Sequence, residues 1–442
     1  MTARDRVTQA GRWLASRSDR WYLFAGWIFF VLACYPGYLS VDSTLQLYQV
    51  RSGEYSDAFP PVMTFVWSVC ENVLAGPFPM ILLQSGLFLF GLAALLRTVV
   101  TPRVAALTAI CVLLFPPVFA TMAVVWPDPL MAGCLIGAAG ALVQPSKRWQ
   151  MAGLVALVVA CGCRPEIALA VVPIVLLAVP APAAWWKRIG LALGVTIAIA
   201  GLARLADWGL TDTKTWERQQ RLMLTDTVST VRRIHLKENG PAKAFAGMQI
   251  VDVKDLPNRL STKHDAFDWY PLAHGDKRPF DLVTSDEQAD ALAAAWRRTI
   301  KKYPLSYVKH RELVVKNLLM LGGHSAVFDS FGDVELLAPL HHRAIASGWQ
   351  DGIRAWVRAI AATPLMKPLV WLLLAIAVVI VERKRKSPAK SLAASGLLYL
   401  ATLALLSPAV EYRLAHWIVT AGVTAGAALL VAWRWPAQTP SR

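Results

Sequence analysis

Ten apolar runs, at 21–38, 79–96, 104–121, 129–144, 150–163, 167–183, 189–206, 366–381, 391–408 and 414–433, dominate this chain of 442 residues. Most approach the roughly 20 residues that a helix needs to cross a bilayer, while several fall short of it, 150–163 most of all. Lipid offers no partner to backbone N–H and C=O groups, so such runs fold as helices whose bonds are all internal. With 56% hydrophobic and 17% charged residues, the chain is too apolar for disorder. It is also short of the roughly 25% charge of an average soluble protein. The expected fold class is an all-α polytopic membrane protein. It has about ten transmembrane helices and a mainly helical extracytoplasmic domain inserted before the last three.

The basic residues set the expected layout. Short segments on the side of the N-terminus carry 18 Lys and Arg, among them Arg97, Arg103, Lys147, Arg148, Lys187, Arg188 and the run Arg383-Lys-Arg-Lys386. Short segments on the other side carry three, Arg51, Arg164 and Arg413. Positive charge stays inside, so both ends are expected in the cytoplasm. The layout is a basic tail at 1–20, about seven spans over 21–206 with an outer first loop at 39–78, an extracytoplasmic domain at 207–365, about three spans over 366–433, and a second tail at 434–442. Val31-Leu-Ala-Cys34 faintly resembles a lipoprotein cleavage box. Leu32 fits it poorly and nine further runs follow, so the first run is expected to remain as an uncleaved helix. The localisation expected is the plasma (inner) membrane, with the active side facing the periplasm or exterior.

Residues 207–362 hold 22 basic and 19 acidic residues, while the rest holds 23 and 10. The excess of the +16 formal charge thus sits in short clusters between apolar runs. That distribution suits topology anchors on anionic lipid, and no nucleic-acid partner is expected. All six cysteines precede residue 165, and Cys161-Gly-Cys163 lacks a second ligand pair at zinc spacing. They read as small apolar residues of the bundle. Within the polar segment, helices are expected at 214–238 (Asp212 its cap), 285–302, 305–321 and 350–361, with 255–284 irregular.

Seven acidic residues outside that segment fall on the outer side: Asp42, Glu54, Asp57, Glu71, Asp128, Glu166 and Glu411. Arg164 and Arg413 join them. Ionisable groups at membrane depth are costly, so their gathering on one face is a site hypothesis. Each has a plainer reading as well. Asp42 suits the N-cap of a helix over 43–51, and Asp128 that of a helix opened by Pro129. Arg164-Pro-Glu166 and Glu411-Tyr-Arg413 suit local ion pairs. Residues 60–76, opened by Pro60-Pro61 and interrupted by Glu71, are expected to lie flat on the outer surface.

An Asp in the first outer loop followed by Pro-Pro, Val124-Val-Trp-Pro-Asp-Pro-Leu-Met131, Arg164-Pro-Glu166 and Glu411-Tyr-Arg413 together resemble the integral-membrane glycosyltransferases of the GT-C superfamily. Trp296-Arg-Arg-Thr-Ile-Lys-Lys-Tyr-Pro304-Leu-Ser-Tyr307 resembles a segment of their outer domain. Two positions depart from the pattern. Phe59 stands where many relatives place His, and Pro127 where others place Lys. The resemblance implies transfer of a sugar from a polyprenyl-phosphate donor to a glycan, lipid or protein acceptor, with inversion. It implies Asp42 as the catalytic base and Asp57, Asp128, Arg164, Glu166, Glu411 and Arg413 as substrate-binding residues. No metal ligand set is defined, although Asp128 leaves room for a divalent cation, magnesium or manganese.

A transporter or lipid translocator is the competing class. Such a protein would scatter charge through mid-span and show paired broken helices in two halves; here the middles of the runs are nearly uncharged and no repeat is found.

Overall fold

The computed structural model describes residues 18–179, 184–235, 243–251, 256–263, 265–322 and 348–436. The arginines of the tail at 4, 6, 12 and 17, the end of the 167–183 run, residues 236–238 of one expected helix, and Arg442 lie outside the described residues. Among those described, the chain is helical, with isolated β-bridges and no strands. It is an all-α polytopic membrane protein, as expected. Four helices, Phe78–Leu96, Trp185–Leu210, Pro388–Leu406 and Tyr412–Arg434, are long and apolar enough to cross a bilayer, and one bent pair adds a fifth.

Helix α1 (Asp19–Ala33) ends earlier than its apolar run, before Pro36 and Gly37, whose φ of +113° suits glycine. Helix α2 (Val41–Ser52) opens on a capping box, in which Ser40 and Ser43 satisfy each other's backbone N–H, and closes on Gly53 in the left-handed region. Helix α3 (Pro61–Val73) starts with proline at N1, and α4 (Phe78–Leu96) follows. The run 104–121, expected as one span, is two helices, α5 (Pro102–Leu113) and α6 (Pro116–Met122), meeting at 68°. Pro116 and Pro117 cause the break, because proline donates no N–H and its ring clashes with the preceding turn.

Helix α7 (Pro127–Leu142) packs on α4 through small residues: a Cβ on Gly91 would lie 2.5 Å from the Gly137 Cα. Close backbone approach of this kind replaces the hydrophobic drive that lipid cannot supply. Helix α8 (Lys147–Cys163) leads through a 3₁₀ turn at Pro165–Ile167 into α9 (Ala168–Val175), only eight residues long with Pro173 inside it. The expected span at 167–183 is therefore much shorter than its hydropathy suggested. Helix α10 (Trp185–Leu210) exposes Ile197, Leu202, Leu205 and Trp208, a face suited to lipid.

The inserted segment has two parts. Helices α11 (Glu217–His235), α12 (Leu256–Lys263), α13 (Tyr270–Ala273) and α14 (Asp286–Lys302) surround a core of their own that includes Leu224, Phe245, Leu272, Phe280 and Leu292. Residues 255–284, expected to be irregular, thus contain two short helices and core side chains, because Leu256, Leu260 and Leu272 each bury there. Helices α15 (Pro304–Leu318) and α16 (Gly348–Ala361) instead join the bundle's core through Val314, Leu318 and Val357. The last helices are α17 (Pro368–Val381), α18 (Pro388–Leu406) and α19 (His416–Arg434).

Arg311 fastens the two parts to the bundle. Its guanidinium donates to the carbonyls of Leu403, Ala404 and Ser407 at the C-terminus of α18, and to Asp226 Oδ1 at 3.0 Å. The last carbonyls of a helix lack intrahelical partners and carry its negative pole, so a buried cation there is doubly favourable. Asp226 also accepts from Trp296 Nε1 at 3.0 Å, which gives the Trp296 segment a structural role.

Candidate active site

Two loops that are distant in sequence are stitched together where the bundle meets the inserted segment. Tyr38 N donates to Ala123 O, and Val125 N donates to Tyr38 O. The Ser43 hydroxyl donates to Val125 O at 2.7 Å, and Trp126 Nε1 to the Ser40 hydroxyl at 2.7 Å. Gln84 of α4 clamps the same loop, its amide donating to Met122 O and Val124 O. The 68° turn into α6 brings residues 123–126 to this position. Asp42 and Trp126 thereby become neighbours on one wall.

The wall encloses a cavity of about 300 Å³ at this junction. Four guanidiniums line it, Arg164, Arg218, Arg221 and Arg413, against two carboxylates, Asp42 and Glu166. The rest of the lining includes Gln46, Phe59, Pro60, Trp126, Leu406 and Pro408. Each of these arginines has an acidic partner, Arg164 in Asp128, Arg413 in Asp42, Arg221 in Glu217 at 3.0 Å and Arg218 in Asp207 at 3.9 Å. On the cavity surface itself, however, arginines outnumber carboxylates, and their planar fork suits phosphate.

Asp42 sits in the first turn of α2, and Ser40, not Asp42, is the cap. The Ser40 hydroxyl lies on extended backbone just ahead of the helix and takes the Ser43 N–H. The Asp42 carboxylate is left for Arg413, whose Nη1 lies 2.6 Å from Oδ2, with the Asp42 side chain 41% exposed. Burial alone would raise the pKa of Asp42. The charge and hydrogen bond of Arg413 outweigh it, and the carboxyl is held below its ordinary value. Arg413 also pairs with Glu411, as its local spacing suggested, and lies over the Trp126 ring.

Asp128 lies in the first turn of α7, wholly buried, and takes a bidentate fork from Arg164, Nε to Oδ1 at 3.0 Å and Nη2 to Oδ2 at 2.7 Å. Arg164 therefore pairs across 36 residues and not with Glu166. Glu166 Oε2 is buried with no hydrogen-bond partner at the cavity. Asp128 stands behind the wall, not in it. Asp57 is also outside the cavity: its Oδ1 accepts from the Thr215 N–H and hydroxyl, both at 2.6 Å, and so holds the start of α11 against the first loop. Asp212 joins that tie by accepting from Tyr55 N, in place of the capping expected of it.

Arg218 and Arg221 at the start of α11 were not anticipated. Their spacing of three places both on one helical face. Arg221 also lies over the Trp269 ring. Among the described residues, no three His, Cys, Asp or Glu side chains converge as metal ligands would. Both Asp128 oxygens are held by Arg164, and Asp42 is paired to Arg413.

No family model matches this chain, and no curated protein matches it. Among solved structures it is similar to the crystal structure of ArnT from Cupriavidus metallidurans bound to undecaprenyl phosphate. The identity is 14%, over 92% of this chain and 77% of that one, with a TM-score of 0.34. A likeness this distant assigns neither family nor activity to the chain.

Proposed function

We propose that this cavity is the active site of a membrane glycosyltransferase that moves a sugar from a polyprenyl-phosphate donor to a glycan, lipid or protein acceptor of the cell envelope. One observation carries the reading. A carboxylate on a fixed helical turn and a surplus of guanidiniums share a small cavity at the end of apolar helices. Transfer from a lipid phosphate needs a base for the acceptor hydroxyl and cations for the phosphate that leaves. It also needs both where a lipid tail can reach.

In the proposed reaction the acceptor oxygen attacks the anomeric carbon, and the bond from that carbon to the phosphate oxygen breaks. The acceptor proton passes to Asp42. Negative charge that grows on the departing phosphate is met by Arg413 and Arg164, with Arg218 and Arg221 lining the same cavity. The unpartnered Glu166 oxygen is suited to accept a hydroxyl of the sugar. Inversion at the anomeric carbon follows from a single direct displacement. The strong bias of basic residues toward the other face supports a plasma-membrane protein with this cavity on the exterior side.

The test is mass spectrometry of envelope glycans and lipid-linked sugars in cells with and without the gene, complemented by Asp42→Asn. Loss of one sugar with accumulation of its polyprenyl carrier is expected. The variant is expected to fold and to turn over about 10²–10⁴-fold more slowly. Full restoration of the glycan by the Asn variant refutes the assignment of Asp42, and unchanged glycans on deletion refute the activity.

A further inference from the structure

A second cavity, of about 600 Å³, lies among the ends of α17 and α19 and the start of α18. Helix α18 carries Leu406 at the first cavity and Pro388 at the second, so its 19 residues separate them by about 28 Å, close to the hydrocarbon thickness of a bilayer. The two sites therefore face opposite surfaces. The walls of the second are apolar, with Leu374, Val381, Leu430 and an exposed Trp433, the residue type that settles at the headgroup level. Its rim is cationic, with Arg385 and Lys386 from the run Arg383-Lys-Arg-Lys386.

Those cations are poorly balanced. Glu382 stands 3.7 Å from Arg385, which is 80% exposed, and among the described residues no acidic group pairs with Lys386 or Arg188. Lys386 titrates below the ordinary lysine range, first from desolvation and then from the charge of Arg188. A second copy of this chain would bring the same positive charge to the rim, and a zwitterionic lipid would bring a cation of its own.

We propose that this cleft binds an anionic phospholipid, its phosphate held by Arg385 and Lys386 and an acyl chain lying along Leu374, Val381 and Leu430. Basic pockets between membrane helices take anionic head groups by this division of labour. The site is independent of the proposed activity.

Native mass spectrometry of the purified full chain, offered phosphatidylglycerol and phosphatidylcholine at equal concentration, tests it. Preferential retention of phosphatidylglycerol is expected. The double variant Arg385→Gln/Lys386→Gln is expected to cut that preference about 10–30-fold, from roughly fivefold per surface charge. Arg385→Lys/Lys386→Arg keeps the charges and is expected to keep the preference, which separates binding from folding. Ala432→Phe narrows the cleft and is expected to weaken lipid retention. Equal retention of both lipids, a preference unchanged by the double Gln variant, or displacement of the lipid by an equal concentration of inorganic phosphate would each overturn the proposal.

Discussion

The Arg164–Asp128 fork offers a test of the site's architecture that needs no substrate. The two bonds span 2.7 and 3.0 Å, and the partners differ sharply in surroundings: Asp128 has no exposure, while the Arg164 side chain keeps 19% on the cavity. Removing one member of a buried ion pair costs about 3–5 kcal/mol, because the survivor is left charged without a partner. The survivor's access to water decides where in that range each variant falls. In Asp128→Ala the orphaned guanidinium can hydrate through the cavity, so the loss belongs near about 3 kcal/mol. In Arg164→Ala the orphaned carboxylate meets no solvent, and the loss belongs near about 5 kcal/mol. The double variant leaves no orphan, so its loss is expected to be smaller than that of Arg164→Ala alone, short of the sum of the singles by about 3 kcal/mol or more. Denaturant unfolding of the purified protein in detergent, read by tryptophan fluorescence, gives all three values. Additive losses, or a larger loss in Asp128→Ala than in Arg164→Ala, would refute the reasoning.

Gly140→Leu is expected to disrupt the α4–α7 contact, since even a Cβ there would fall inside the van der Waals surface of the Gly91 carbonyl oxygen. The overpacking costs at least about 1–3 kcal/mol, read as a lower yield of monodisperse protein and a lower melting temperature. Arg311→Met removes four hydrogen bonds and leaves Asp226 buried beside His310, at about 3–5 kcal/mol. Hydrogen exchange is expected to rise in α15 and at the end of α18 while α4 stays protected, and uniform protection in all three would contradict the fastening role.

The helices were legible because apolar runs of this length have one outcome in lipid. Two runs were read too long. Pro116-Pro117 breaks 104–121, and α9 stops at Val175 within 167–183, although hydropathy runs on in both. Topology put Asp42, Asp57, Asp128, Arg164, Glu166, Glu411 and Arg413 on one side, since that depends only on which end of a run each residue occupies, but only Asp42, Arg164, Glu166 and Arg413 of them line the cavity. Pairing was not visible. Ser40 takes the cap that Asp42 seemed to hold, because a hydroxyl two residues earlier fits the extended backbone. Arg164 chooses Asp128 over Glu166 because α7 and α8 lie side by side, a packing that the local tripeptide does not reveal. Arg218 and Arg221 were hidden for the opposite reason: basic residues on an amphipathic helix look like a solvated face. Nothing in 305–321 separates Arg311, which is buried, from Lys309, which is exposed.

The Asp42–Arg413 contact ties donor binding to base strength. Without substrate, burial pushes the Asp42 pKa up and Arg413 pulls it further down, leaving it below the usual carboxylate range. A group with a depressed native pKa contributes stability that is complete above its unfolded value, about 3.9, and that is lost as pH falls through the native value. The same ionisation sets the acid limb of activity. A carboxylate so depressed is a weak base, and weakness is a defect in general-base catalysis. A donor phosphate that engages Arg413 removes the main force holding the Asp42 pKa down and adds a negative charge of its own, so the carboxylate becomes more basic when the donor is in place. The pH dependence of kcat/KM reports the free enzyme and that of kcat the complex. The acid limb of kcat is therefore expected at higher pH than that of kcat/KM, and Arg413→Gln is expected to move the kcat/KM limb upward toward it. Coincident limbs in the unaltered protein, or a kcat limb on the acid side of the other, would show that Arg413 does not exchange the carboxylate for phosphate.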